Sequence, residues 1–197
     1  MPSTRKERGA PRAGPAVGPP PAQGLYDPRF EHDSCGVGFV VNIKGERSHK
    51  LVRQAFEVGL NLLHRGACGC EVNTGDGAGM LLQVPHKFLM RAAPAAGIEL
   101  PGAGEYGVGM VFLPRDAAER GRIEDLFARV VAEEGQRLLG WRDVPTDSSA
   151  LGPTARRGEP VIRQVFIGRA GRAAENAADP GPDGARARFE RKLYVIR

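Results

Sequence analysis

Short apolar runs alternate with amphipathic segments from residue 35 onward, and this alternation restricts the chain to a fold of mixed helices and strands. The apolar runs predict strands at residues 35–43, 80–84, 107–113, 136–142 and 161–167. Apolar residues at helical spacing predict helices at 49–64, 86–91, 115–134 and 185–197. We therefore expect an α+β fold.

Two of the predicted helices carry a defined apolar face. Ser48 is the expected N-cap of the first helix, which should bury Val52, Phe56, Leu60 and Leu63. The helix at 115–134 should turn four residues inward: Ile123, Leu126, Phe127 and Val130. Residues 143–160 and 171–184 are rich in turn-forming and small residues and are expected to be loops.

The first 24 residues are dominated by Pro, Gly and Ala and contain almost no large apolar side chain. Such a segment cannot offset the entropy lost on ordering, so we expect a disordered basic tail. An organelle transit peptide is the alternative, but the segment has few hydroxyl residues and no amphipathic period.

Several function classes are disfavoured by composition. The net charge is +5, but the arginines are scattered and lack interleaved aromatic residues, which argues against nucleic-acid binding. No apolar run approaches the roughly 20 residues of a membrane-spanning helix, and no secretory signal is recognisable. A cytoplasmic location is the default expectation. Three cysteines, an odd number, argue against a disulfide framework.

The first candidate motif runs from Asp33 to Phe39, where Cys35 opens a predicted strand and is followed by glycines and small apolar residues. A cysteine in this position is commonly a buried core residue, and that structural interpretation is the simpler one when the motif is taken alone.

A second motif, Leu63 to Ala67, lies at the end of the first predicted helix. Its structural interpretation is a helix C-cap, with His64 and Arg65 near the negative end of the dipole and Gly66 in the left-handed conformation.

The third motif, Asn73 to Gly79, contains three glycines, so its backbone should turn sharply or approach another group closely. It lacks the lysine and the spacing of a P-loop and precedes a strand, which argues against phosphate binding. A metal site built from Cys68, Cys70, His64 and His32 is disfavoured because the two cysteines have no second matching pair. We expect no metal.

In this order the three motifs resemble a known family. LYDPRFEHDSCGVGFV, LLHRGA and TGDGAGM, with the closing FERKLYVIR, are similar to the amino-terminal region of the large subunit of bacterial glutamate synthase. The resemblance implies a class II glutamine amidotransferase with the four-layer αββα fold of N-terminal nucleophile hydrolases. Residues 35–197 would form the first part of that domain and be incomplete at the C-terminal end.

The resemblance also implies the chemistry. Cys35 would be exposed by removal of residues 1–34 as a propeptide, and its thiol would attack glutamine with its own α-amine as base. Arg65 and Asp76 would shape the substrate pocket. His32 would be a proton carrier or an ordinary solvated histidine.

The family's oxyanion-binding Asn-Gly pair does not occur in this sequence. Loss of an oxyanion donor costs about a hundredfold or more in rate, so we expect these 197 residues alone to be inactive. In a full-length enzyme, ammonia would pass to 2-oxoglutarate in downstream domains that carry FMN and an iron–sulfur cluster, with a small subunit as a further partner. No cofactor is expected in this segment. The alternatives are another class II amidotransferase and an inactive remnant that acts as a binding module.

Overall fold

The computed structural model describes residues 21–30, 36–66, 71, 75, 77–170 and 182–197, except for the side chains of His64, Pro182 and Asp183. The chain divides into two compact units, Met1–Leu81 and Leu82–Arg197. Residues 1–20 of the tail expected at 1–24, and residues 171–181 of the loop expected at 171–184, lie outside the described residues.

The main element of the first unit is α1, His49–Asn61. Ser48 occupies the N-cap position with an extended backbone, as expected, but its side chain makes no capping hydrogen bond. A 3-10 turn at Leu63–Arg65 follows the helix. The helix is therefore three residues shorter than predicted, because its last turn tightens.

The side of α1 that is covered differs from the prediction. Phe56 and Leu60 are 63% and 64% exposed, whereas Val58 and Leu62 contact the segment that precedes the helix. Apolar residues occupy more than one stripe of this helix, and a single neighbouring segment covers only one of them. The predicted core face was therefore wrong at Phe56, Leu60 and Leu63.

Neither of the first two predicted strands forms. Residues 36–43 and 80–84 pair with no other strand in the described residues, and Val37, Phe39 and Ile43 are 91%, 88% and 99% exposed. An apolar pattern identifies residues that can be buried, but a strand also needs a neighbouring strand to hydrogen-bond its backbone groups. The prediction of a buried strand is wrong for the described structure.

The second unit is built around three antiparallel strands: β1 (Tyr106–Leu113), β2 (Arg137–Asp143) and β3 (Val161–Gly168). Their order in the sheet is β1-β3-β2, so the last strand in sequence is the central one. All three agree with the predicted strands to within about a residue at each end, and the α+β class is confirmed.

Helices lie on both faces of this sheet. On one face, Tyr106 and Phe166 pack with Leu89 of α2 (His86–Ala92) and with Ala93 and Ile98 just after it. On the other face, Val165 and Ile167 pack with helices α3 (Ala117–Glu133) and α5 (Pro182–Ile196) through Val131, Phe189 and Ile196. The sheet is thus the middle layer of the second unit.

Helix α3 begins at a capped turn, since the Asp116 side chain accepts a hydrogen bond from the backbone N–H of Glu119 at 2.7 Å. Phe127 and Val130 pack toward the sheet as predicted. Leu126 is 48% exposed, so its predicted inward position is wrong. Val131, which the prediction omitted, is buried instead because the helix presents that stripe to the sheet.

A bulge in β2 brings the sheet close to the segment after α2. Gly140 has φ of 149° at the register shift between Leu138 and Gly140, and an added Cβ would lie 2.9 Å from Cγ1 of Ile98. Glycine is therefore required both by the backbone conformation and by the available space.

Helix α4 (Pro153–Gly158) lies in the connection that was expected to be a loop. Arg156 holds it to the preceding segment, because its Nη2 donates to the carbonyl of Ser148 at 3.0 Å. The predicted loop at 171–184 is also shortened, since 182–184 form the first turn of α5. None of the helices in the described residues has the length and hydrophobicity needed to cross a bilayer.

Candidate active site

Cys35, the predicted nucleophile, and Asp76, a predicted pocket residue, lie outside the described residues, as do His32, Cys68 and Cys70. Residues next to them in sequence are described and give the geometry of this region. Gly36 follows Cys35 directly, Gly77 follows Asp76, and Arg65 is itself described.

The segment after Cys35 lies against α1. A Cβ added to Gly36 would lie 3.1 Å from Cδ2 of Leu62, and one added to Gly38 would lie 2.4 Å from Cγ1 of Val58. Two residues of an extended chain and four residues of a helix both span about 6 to 7 Å. The two contacts therefore indicate that the chain is extended between Gly36 and Gly38 and runs along the helix.

Glycine at position 38 is what permits this approach. A separation of 2.4 Å is far inside the normal contact distance of about 3.5 to 4.0 Å between carbon atoms. Any larger residue at this position would move the segment away from α1, and with it Gly36 and the bond to Cys35. The alternating glycines of the first motif thus serve helix packing, a role that the sequence interpretation missed.

The second motif begins one residue beyond Leu62. The backbone N–H of Arg65 donates to the carbonyl of Leu62 at 2.8 Å, and that of Gly66 donates to the carbonyl of Leu63 at 3.1 Å. Gly66 has φ of −85° and ψ of 151°, so the predicted left-handed cap at this glycine is wrong. The backbone N–H groups of Arg65 and Gly66 already bind the carbonyls of Leu62 and Leu63, and the chain leaves the 3-10 turn in an extended conformation.

The first two motifs are therefore adjacent in space. The residue after Cys35 contacts Leu62, which is hydrogen-bonded to the turn that holds Arg65. Arg65 itself is exposed at the end of this turn. Of the third motif, Gly77 and Gly79 show no comparable packing within the described part of the chain: an added Cβ at either meets no described atom within 4 Å, and neither has positive φ.

The second unit holds a cavity of about 210 Å³ between the end of α3, the start of β2, the residues after β3 and helix α5, and two of its basic lining residues are held in ion pairs. Lys192 lies 2.6 Å from Glu134, and Arg169 lies 2.7 Å from Glu105. These ion pairs neutralise two of the basic groups that line the cavity.

Another polar pair in the second unit is His86 with Tyr106, whose Nδ1 and Oη lie 3.0 Å apart. Burial raises the pKa of Tyr106, so this phenol stays neutral and serves as a hydrogen-bond partner. Within the described ranges, no three His, Cys, Asp or Glu residues are grouped as a metal site would require.

The family of class-II glutamine amidotransferases matches residues 35–197, so the match begins at Cys35. Over 178 residues the chain is 43% identical to the glutamate synthase [NADPH] large chain of Bacillus subtilis, covering 90% of this chain and 11% of that protein. It is 41% identical to the glutamate synthase [NADH] of Schizosaccharomyces pombe, covering 90% of this chain and 8% of that protein.

A third relative is the ferredoxin-dependent glutamate synthase 2 of Synechocystis, at 34% identity over 85% of this chain and 10% of that protein. The chain thus spans only 8% to 11% of the length of these relatives. The family match covers most of the chain; it includes the first motif from Cys35 onward and the whole of the second and third motifs. This chain therefore belongs to the class-II glutamine amidotransferases.

Proposed function

We propose that this chain is the first part of the glutaminase domain of a glutamate synthase and that Cys35 is its nucleophile. The observation that carries the proposal is the start of the family match at Cys35. Similarity to three glutamate synthases favours that enzyme over other amidotransferases of the class.

The proposed chemistry begins when removal of residues 1–34 frees the α-amine of Cys35. An α-amine has a pKa of about 8 and a thiol one of about 8.5, so the amine can accept the thiol proton near neutral pH. The sulfur then attacks the side-chain amide carbon of glutamine. Ammonia leaves with a returned proton, and water hydrolyses the resulting thioester to glutamate and the free thiol.

Packing around Gly36 supports a site shared by the first two motifs. Gly36 is bonded to Cys35 and lies against Leu62, immediately before the turn that contains Arg65. In this proposal Arg65 and Asp76 line the glutamine pocket, while Leu62 and Val58 fix the direction in which the chain enters from Cys35.

The four-layer αββα arrangement of N-terminal nucleophile hydrolases is part of the same proposal. The second unit already has helices α3 and α5 on one face of an antiparallel sheet, which is compatible with one half of such a fold.

The downstream steps would use parts of the enzyme outside this segment. Ammonia would react with 2-oxoglutarate in domains that carry FMN and an iron–sulfur cluster, and a small subunit is a further candidate partner. The glutaminase segment itself would need no cofactor, because thiol and amine supply all of its acid–base chemistry.

Labelling with 6-diazo-5-oxo-norleucine, an electrophile that mimics glutamine, tests the proposal in the full-length enzyme. We expect peptide mapping to show the label on Cys35, with protection by excess glutamine, and N-terminal sequencing to start at Cys35. Thiolate character and access determine such reactivity. Protected labelling of Cys68 or Cys70, or an active enzyme that starts at Met1, would contradict the proposal.

Substitution gives an independent control. Cys35→Ser should abolish glutamine-dependent synthesis and leave ammonia-dependent synthesis in place, because the two reactions occupy separate sites. Cys68→Ser and Cys70→Ser should preserve both activities. Equal loss of both activities in Cys35→Ser would instead indicate a structural role for this residue.

A further inference from the structure

An N-terminal nucleophile is joined to its protein from one side only. In the proposed mature enzyme the α-amine of Cys35 is free, so the peptide bond to Gly36 is its single covalent link to the rest of the chain. An internal catalytic residue has a peptide bond on each side. The direction in which the amine and the thiol of Cys35 point therefore depends directly on how the backbone of Gly36 is held.

Gly36 cannot set this direction through its own conformation. Glycine has no Cβ and reaches more of φ/ψ space than any other residue, so its torsions alone leave the residue before it free to reorient. Catalysis depends on the orientation of the reacting groups, and a displacement of about 1 Å can cost about a hundredfold in rate. A restraint on Gly36 must come from another part of the protein.

The side chain of Leu62 supplies such a restraint. A Cβ built on Gly36 would lie 3.1 Å from Cδ2 of Leu62 and 3.2 Å from both its Cβ and its Cδ1. All three distances are shorter than the normal contact distance of about 3.5 to 4.0 Å between carbon atoms. Leu62 therefore occupies the space in which a side chain at position 36 would lie, and this packing limits the movement of the glycine.

Leu62 is itself held by backbone hydrogen bonds on both sides. Its N–H donates to the carbonyl of Val58 at 3.1 Å and to that of Gly59 at 3.2 Å, and its own carbonyl accepts from the N–H of Arg65 at 2.8 Å. The residue is the C-cap of α1, between the helix and the 3-10 turn. It cannot move without disturbing one of these two elements, so it gives Gly36 a fixed surface.

A second contact fixes the direction of the segment. Gly38 approaches Val58, which lies four residues before Leu62 and therefore on the same side of α1. Contacts at Gly36 and Gly38 together determine both the distance of the segment from the helix and the line along which it runs. Gly36 is the nearer of the two to Cys35, so loss of the Leu62 contact should affect the nucleophile more.

We propose that Leu62 is a positioning residue for glutamine hydrolysis. By packing on Gly36, its side chain holds the α-amine and the thiol of Cys35 in the orientation that attack requires. The proposal rests on the proposed role of Cys35 as nucleophile. Because Leu62 acts through Gly36 rather than on the substrate, replacing it should slow the chemical step and leave the affinity for glutamine largely unchanged.

The rate at which 6-diazo-5-oxo-norleucine labels Cys35 in the full-length enzyme measures the reactivity of this thiol alone. A series of reagent concentrations separates the maximal labelling rate from the half-saturating concentration. In Leu62→Ala we expect the maximal rate to fall about ten- to hundredfold and the half-saturating concentration to change by less than about threefold. Each rate is divided by the fraction of chains that begin at Cys35, measured by intact mass.

Two variants and a second activity separate positioning from loss of folding. Leu62→Met keeps a side chain of similar volume and should label at close to the wild-type rate. Leu60→Ala removes the same atoms from the same helix, at a residue that is 64% exposed in this structure, and should also label at close to that rate. Ammonia-dependent synthesis, which occupies a separate site in the proposed function, should be unchanged in Leu62→Ala.

A compensating pair of substitutions gives the most specific test. Gly36→Ala alone should slow labelling, because its Cβ would overlap Leu62. When Gly36→Ala is combined with Leu62→Ala, the new methyl group restores part of the lost packing, and labelling should be faster than in either single variant. Two independent losses of stability would instead make the double variant slower than both.

The outcomes distinguish this inference from the proposed function. A wild-type labelling rate in Leu62→Ala, or equal losses in Leu62→Ala and Leu60→Ala, overturns the positioning role while Cys35 remains the nucleophile. A double variant that labels no faster than the faster single variant also overturns it. Glutamine-protected labelling of another cysteine in the wild-type enzyme would overturn the proposed function, and this inference with it.

Discussion

Replacing Gly38 by alanine should loosen the contact between the segment after Cys35 and helix α1. The added Cβ would lie 2.4 Å from Cγ1 of Val58, more than 1 Å inside the normal contact distance of about 3.5 to 4.0 Å. Forced overpacking of this kind costs about 1 to 3 kcal/mol. Since about 1.4 kcal/mol is a factor of ten, local opening of this contact should become about 5 to 150 times more frequent.

Hydrogen–deuterium exchange followed by mass spectrometry measures this opening directly. Peptides from α1 should exchange faster in Gly38→Ala, whereas peptides from β3 in the other unit should be unchanged and serve as the internal reference. Gly77→Ala is a matched control, because a Cβ at Gly77 meets no atom of the described residues within 4 Å and its φ is not positive.

A double substitution makes the test specific. The added Cβ would also lie 3.8 Å from Cβ of Val58, which is a normal van der Waals distance. Val58→Ala therefore removes the methyl that overlaps the added Cβ and keeps the normal contact. Val58→Ala should therefore rescue Gly38→Ala, with a coupling energy of about 1 kcal/mol or more in a double-mutant cycle. The reasoning is refuted if Gly38→Ala exchanges like Gly77→Ala, or if Val58→Ala gives no rescue.

Three further substitutions have directions that follow from the structure. Gly59→Ala, within α1 and with open space around its Cβ, should slow exchange of α1 peptides by stabilising the helix by up to about 1 kcal/mol. Gly140→Ala should lower the melting temperature, since left-handed strain and the contact with Ile98 together cost about 1 to 3 kcal/mol. Phe166→Ala should destabilise the second unit by about 3 to 5 kcal/mol in urea denaturation, because Phe166 is fully buried in the centre of the sheet.

The second unit was largely predictable from sequence because its elements find their partners within the unit. The apolar runs at β1, β2 and β3 pair with one another, and the amphipathic pattern of α3 meets the sheet. Helix α4 was not predictable, because it is held by arginine side chains rather than by an apolar period: Arg156 donates to the carbonyl of Ser148, and Arg115 donates to the carbonyl of Arg156.

Residues 36–43 show the limit of hydrophobic pattern as a predictor. The pattern reports which side chains are suited to burial, whereas strand formation depends on where another backbone is available. The motifs around Cys35 and Arg65 were recognisable by their residues and order. The contact between these motifs through Gly36 and Leu62 could not be recognised from the sequence, because it depends on the path of the chain across α1.

The central position of β3 determines when the sheet can form during synthesis. Strands β1 and β2 do not pair with each other, so both must wait until β3 has left the ribosome. The 55 residues between Leu113 and Gly168 take roughly 3 to 11 seconds to translate at about 5 to 20 residues per second. During that interval the uncharged strand β1 is available to nascent-chain chaperones, and these should bind it until residue 168 emerges.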